Sequence, residues 1–475
     1  MLLSNGYWHS SRNSIDFRHN YILYGQHRQN HYDSHILVAV TAWDAHPGFC
    51  ASPRSALPLP RIDTAALLPD FSTLDSRRTA LVFVKAVNYD VTSFVTSIKL
   101  SQAHAAVITS TRSVRMSILF DPIRIGALKL SNRIIMAPLT RMRAFDERAP
   151  GPLNAQHYAL RATAGLIITE ATSVTPQGVG YPNTPGIWTE KQIANWKKVT
   201  AAVHDAGGLI VSQLWHVGRV SDPAFHDGQA PVAPSAISPD GHVSRLRPQR
   251  PYVVPRALDT EEIPAIVEDF RRGAENAKRA GFDGVELHAA NGYLFDQFLH
   301  DGSNKRTDHY GGSIENRARF LLETVDAMLT VWPSDRVGVH LNLMSSSHSM
   351  HDSDPRALFV YVAKQLNARD IAFIFARESL AGGDQRIGSD VRRIFKGKYI
   401  LNEGLTKESA QEAIERGEGD AAAFGRFFVA NPDLVERFRR NAPLNAVRTE
   451  SIYTDDESGY NDYPLLDEVT RAVES

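Results

Sequence analysis

The stretch Val285-Glu286-Leu287-His288-Ala289-Ala290-Asn291-Gly292-Tyr293 begins as an apolar run and becomes polar within a few residues. Such a run, ending in an imidazole, a carboxamide and a phenol, reads as a buried strand that delivers its last side chains to a loop. The same texture recurs along the chain. Candidate strands lie at 133–137, 166–170, 209–214, 284–288, 337–341, 371–375, 399–402 and 421–425. Amphipathic segments separate or follow them at about 155–164, 190–206, 260–280, 313–332, 355–368, 386–395, 406–417 and 431–440. In 260–280, Ile263, Ile266, Val267, Phe270, Ala274 and Ala277 share one helical face. Eight strand-then-helix repeats predict an α/β fold, a (β/α)8 TIM barrel. A doubly wound open sheet would need a glycine-rich phosphate turn after an early strand, and the sequence has none. The longest insertion, 217–259, is rich in Pro and Gly and follows the third strand.

The barrel pattern begins at Met116. Residues 1–115 read as a weakly ordered N-terminal extension, and 116–475 as the catalytic barrel. Within the extension, 5–50 is rich in His, Asn, Ser, Tyr and Arg without a sustained period, and the runs at 80–84 and 105–108 are candidate isolated strands. The scarcity of acids near the start also fits an organelle-targeting peptide. An overlong gene model is the plainer reading, since the next methionine after Met1 is Met116.

Lysine and arginine (52) nearly balance aspartate and glutamate (53), so neither nucleic acid nor an anionic membrane is an expected partner. No run approaches the ~18 apolar residues of a membrane span. Cys50 is the only cysteine, which excludes a disulfide framework, a cysteine-ligated zinc site and a cysteine-bound iron–sulfur cluster within one chain. No metal site is expected, and the cytoplasm is the default location.

Barrel enzymes place their chemistry where strands end. Here those positions carry Thr140, Glu170 with Ala171, Gln213 with Trp215 and His216, His288 with Asn291 and Tyr293, His340, Glu378, Asn402, and Gly425 with Arg426. His288 and Asn291 suit a paired donor site for a carbonyl or nitro oxygen, whose negative charge grows during reduction. Tyr293 is close enough in sequence to supply a proton. The same residues equally fit a histidine satisfied within its loop and a tyrosine packed at the rim.

Several long motifs in order are similar to those of the old yellow enzyme family: Asn132-Arg133-Ile134-Ile135-Met136-Ala137-Pro138-Leu139-Thr140-Arg141, Gln213-Leu214-Trp215-His216, the run from His288 to Tyr293, Tyr310-Gly311-Gly312-Ser313-Ile314-Glu315-Asn316-Arg317, and Gly425-Arg426-Phe427-Phe428 followed by Asn431-Pro432-Asp433-Leu434. The resemblance covers 116–475. It implies a non-covalent FMN reduced by NAD(P)H and reoxidised by an activated alkene, in a monomer or homodimer. It places Pro138 and Thr140 beside the flavin ring, Ala171 against it through the backbone, and Gln213 at the pyrimidine edge. His340 and Asn402 fall at cofactor positions, and Gly425 and Arg426 at the phosphate. Trp215, Tyr181 and Tyr453 match positions that shape the substrate pocket.

The match breaks along the fifth to seventh strands. The family usually carries arginine where His340 stands, facing flavin N1 and the C2 oxygen. A histidine, with an unperturbed pKa of about 6.5, is mostly neutral at pH 7. Losing one charge-assisted hydrogen bond costs about 1.5–3 kcal/mol, or roughly 10- to 100-fold in cofactor affinity. Leu343 to Met350 replaces a Ser-Pro turn, Glu378 lacks its usual following proline, and Glu403 stands where a second glycine is typical beside the phosphate. The leading expectation is an FMN-dependent ene reductase acting on enones, nitroalkenes or related electrophiles, cyclic oxylipin-type enones included. The alternative is a catalytically impaired barrel that binds flavin or a phenol without turnover.

Overall fold

The computed structural model describes residues 117–344 and 346–468, and three strands nearer the N-terminus. The chain divides into two compact units, Met1–Val114 and Arg115–Ser475. In the first, Asn20–Gln29 pairs antiparallel with Tyr32–Thr41, which Leu81–Phe83 joins in parallel. The last of these falls within the strand expected at 80–84; the run at 105–108 lies outside the described residues. The paired ten-residue strands were not anticipated, because Ile36 to Val40 is a continuous apolar run without the alternation that marks a half-buried strand.

The second unit is a closed parallel barrel of eight strands: β1 (Ile134–Met136), β2 (Leu166–Ile168), β3 (Ile210–Trp215), β4 (Gly284–Ala289), β5 (Val337–Asn342), β6 (Phe373–Arg377), β7 (Lys398–Asn402) and β8 (Ala421–Phe424). Each pairs with the next, and β8 returns to β1. The outer helices are α1 (Pro152–Ala159), α2 (Glu190–Asp205), α3 (Ile263–Arg279), α4 (Ile314–Leu329), α5 (Pro355–Ala368), α6 (Gly388–Ile394), α7 (Lys407–Glu415) and α8 (Leu434–Arg440).

Alternation along the strands sorts the core into two layers. Ile135, Leu166, Ile168, Val211, Phe373, Phe375, Ile400, Ala421 and Ala423 fill the interior, and Ile125, Leu128 and Leu130 of a short hairpin pack with them. Their neighbours Ile134, Ile167, Leu214, Val285, Leu287, Val339 and Ile374 face outward and pack with helix residues such as Phe270 and Val362. The interior is therefore solid, and polar side chains can gather only above it.

Local signals explain where the boundaries moved. Helix α1 begins at Pro152, three residues before the expected start, because proline after Gly151 is preorganised for a first helical position. Thr189 accepts from Gln192 N and caps α2. The last expected helix, 431–440, begins only at Leu434, beyond Pro432, and a separate short helix, Arg426–Ala430, precedes it. A short helix not foreseen, Leu294–Leu299, follows β4 and is buried along its whole length. The C-terminal segment is tied down by buried arginines. Arg143 donates to the carbonyls of Asp456 and Ser458 at 2.8 and 2.9 Å, and Arg161 to that of Tyr460 at 3.3 Å.

Candidate active site

The strand register assembles a polar layer above the apolar interior. Gln213 on β3 lies opposite Glu286 on β4, His288 opposite His340 on β5, and Asn342 opposite Arg377 on β6. Arg377 in turn lies opposite Asn402 on β7.

Gln213 Nε2 donates to Glu286 Oε2 at 2.6 Å and sits 3.2 Å from His340 Nδ1. With both amide protons engaged, Gln213 offers only Oε1. His340 Nδ1 accepts, so its proton sits on Nε2, which is buried and unpartnered among the described residues. Burial pushes the Glu286 carboxyl up to about 8, so it is largely protonated at neutral pH.

The His288 ring stacks on His340 with centroids 4.9 Å apart and meets the edge of Tyr293 at 5.1 Å. Burial, followed by the charge of Arg377, lowers its pKa to about 3 and leaves it neutral. Asn291 adopts a left-handed φ of 61°, which asparagine tolerates. Its Oδ1 accepts from Arg377 Nη1 at 2.6 Å, and its backbone carbonyl from His348 Nδ1 at 2.7 Å. Asp296 and Gln297 of the short buried helix hold Gly292 N and O, each at 2.7 Å. The loop that carries Asn291 is thus fixed from both sides, with Nδ2 as the amide's remaining donor.

The Tyr293 hydroxyl lies 3.0 Å from that of Tyr181, and burial holds both phenols above their ordinary range. Tyr181 stacks on Trp215 at 5.5 Å. Ala171, Val217 and Val220 pack with these rings, and Tyr252 and Tyr293 lean on the cluster. Half-buried Tyr453 lies under the Arg245 guanidinium, 3.7 Å from ring to charge.

On the opposite side, Pro138 and Thr140 are half-buried beyond β1. Asn402 Nδ2 is taken by the Ala423 carbonyl at 3.1 Å, leaving its oxygen side. Gly425 precedes the helix Arg426–Ala430, and Arg426 is exposed with no ion pair among the described residues. Glu403 meets Arg377 through both carboxylate oxygens, each at 3.2 Å. The carboxylate at this glycine position is therefore already paired.

Three strand-end residues have structural partners instead. Glu170 accepts from the backbone N–H groups of Arg141 and Met142, His216 Nδ1 accepts from Gly218 N, and Glu378 caps the start of α6 through Ile387 N and Gly388 N. Four residues of the site were not singled out by sequence reasoning: Glu286, Arg377, His348 and Tyr252. For Arg377 a signal existed. In Phe373-Ile374-Phe375-Ala376-Arg377-Glu378 the inward set is Phe373, Phe375 and Arg377, which turns Glu378 away.

The family model of the NADH:flavin oxidoreductase / NADH oxidase family matches residues 118–445. The chain belongs to this family. Putative 12-oxophytodienoate reductase 4 of Oryza sativa subsp. japonica is 44% identical over 365 residues, covering 74% of this chain and 93% of the relative. Among solved structures, morphinone reductase is 48% identical with a TM-score of 0.71 to 0.72, covering 74 to 75% of this chain and 98% of that one. The old yellow enzyme homologue from Zymomonas mobilis is 45% identical with a TM-score of 0.71, covering 73% and 99%. This flavin oxidoreductase is therefore an enzyme that uses FMN with NAD(P)H as reductant. Nothing in these likenesses favours the impaired barrel.

The residues present fit FMN. The unpartnered Nε2–H of His340 and the free Oε1 of Gln213 supply one donor and one acceptor for the polar edge of a flavin ring. Arg426, exposed beside Gly425, is a cation without an ion pair among the described residues, which suits the phosphate of this flavin oxidoreductase's cofactor.

Proposed function

We propose that this enzyme reduces the activated C=C bond of an α,β-unsaturated carbonyl or nitro compound, with electrons from NADH or NADPH. One observation carries the reading: a neutral imidazole, a carboxamide with its N–H2 end free and a protonated phenol meet within one buried loop system. The names of the relatives, 12-oxophytodienoate reductase and morphinone reductase, support cyclic enones as the substrate class.

FMN, when bound, supplies the hydride that passes to the β carbon. His288 and Asn291 Nδ2 hold the substrate oxygen and stabilise the charge that develops there. Because His288 is neutral, it donates a hydrogen bond without protonating the oxygen outright. Tyr293 delivers its hydroxyl proton to the α carbon, and Tyr181, 3.0 Å away, is placed to replenish it. Trp215, Tyr181 and Tyr453 wall the substrate, and Ala171 lies against the cofactor through its backbone. Pro138, Thr140, Gln213, His340, Asn402, Gly425 and Arg426 hold the cofactor.

The unit 116–475 carries this chemistry, and residues 1–115 form an extension that contributes none of these side chains. We assign the enzyme to the cytoplasm, as a monomer or homodimer. No helix among the described residues is long and apolar enough to cross a membrane.

Anaerobic titration of the FMN-loaded chain tests the reading. NADH or NADPH should bleach the flavin absorbance, and 2-cyclohexenone should restore it with a saturated ketone as product. Bleaching that no enone or nitroalkene reverses would refute the substrate class.

A further inference from the structure

We infer that Arg377 is a positioning residue that decides which end of the Asn291 carboxamide faces the substrate. This rests on the reading of Asn291 as a donor to the substrate oxygen.

An amide side chain can present either its oxygen or its nitrogen, and a guanidinium has no acceptor. The Asn291 atom 2.6 Å from Arg377 Nη1 must therefore be Oδ1, which turns Nδ2 the other way. The backbone of the same residue is pinned independently, by His348 on its carbonyl and by the left-handed turn at φ 61°. Arg377 is itself held. Nε and Nη2 clamp Glu403 at 3.2 Å each, and Nη1 also reaches Ser347 Oγ at 3.2 Å. The planar fork thus runs from the end of β7 to the loop after β4, across the end of β6.

Two effects follow. The amide is oriented before substrate arrives, so no reorientation opposes binding. A cation on Oδ1 also polarises the amide and strengthens Nδ2–H as a donor. The same charge opposes protonation of His288 and His340, keeping the second donor neutral.

The test uses the full chain loaded with FMN, with p-hydroxybenzaldehyde as probe. Its phenolic oxygen should take the same two donors, and a phenol stacked on the flavin ring should perturb the flavin absorbance. Read at saturating FMN, Arg377→Met should weaken the probe about 10-fold, the scale of one charge-assisted hydrogen bond. In an Asn291→Ala background the same substitution should cost less than about 2-fold, because the two act as one unit. Arg377→Lys keeps the charge but not the fork and should fall between, about 3-fold. If Arg377→Met does not fold, the lysine variant decides, since its loss must vanish beside Asn291→Ala. An unchanged affinity in the Arg377 variants, or a loss that persists without Asn291, overturns the inference. Wild-type affinity in Asn291→Ala alone refutes the donor reading beneath it.

Discussion

Replacing Glu286 by glutamine should make the enzyme more stable in alkali than the natural protein. Glu286 is fully buried among Gln213 and the stacked histidines, and its carboxyl is pushed from 4.5 up to about 8. The folded chain therefore holds a proton that the unfolded chain releases from pH 4.5 upward. Stability from this site is complete below pH 4.5, falls as pH rises, and reaches its floor above about 8. At about 1.4 kcal/mol per pH unit across that window, the loss amounts to as much as about 5 kcal/mol. Glutamine never ionises, and its oxygen still accepts from Gln213 Nε2, so the inward hydrogen bond survives. The assay is thermal unfolding of both proteins from pH 5 to pH 9 with FMN saturating. From pH 5 the loss is about 4 kcal/mol, so at about 2 °C per kcal/mol for a barrel this large, the wild-type midpoint should drop up to about 8 °C further than that of Glu286→Gln. Parallel curves over the whole range would show that Glu286 is ionised in the folded state and that the protonated-acid account is mistaken.

Three further outcomes are expected. Tyr293→Phe should leave FMN reduction by the nicotinamide intact yet slow reoxidation by an enone by about 100-fold or more, within the range of general-acid catalysis, as read by stopped-flow absorbance. Arg426→Ala should weaken FMN retention at least about 10-fold through loss of one charge-assisted phosphate contact, measured by fluorescence titration. His340→Arg should tighten FMN about 10-fold by restoring a charged hydrogen bond, with Glu286 available as counter-ion; unchanged affinity would show that His340 does not face the cofactor.

The barrel was legible because its strands are continuous apolar runs between amphipathic helices, a pattern set by burial on both faces. The shift of α1 to Pro152 and the start of α8 beyond Pro432 were written in single residues that a periodicity reading passes over. In the site, the trio from His288 to Tyr293 sits within six residues of sequence, so its local spacing was readable. Arg377 stands two residues past the expected strand, and its role depends on residues 86 and 26 positions away. Glu286 was missed for a different reason. A carboxylate within an apolar strand states that something unusual is buried, and only the register with Gln213 shows what it meets. The setting of Glu403 was likewise out of reach, since its partner Arg377 lies 26 positions away.

Part of the aromatic wall has a separate origin from the floor beneath it. Gln213, Glu286, His288 and His340 stand on strands, whereas Tyr252 and Arg245 come from the long insertion after β3, and Tyr453 from the tethered C-terminal segment. Arg245 over Tyr453 joins those two outlying pieces directly to each other. Selection can therefore exchange the walls as a pair, trading one enone shape for another, while the reducing apparatus stays untouched. Transplanting only one piece would part the cation from its ring, so a change of diet in such an enzyme is best kept when both pieces change together.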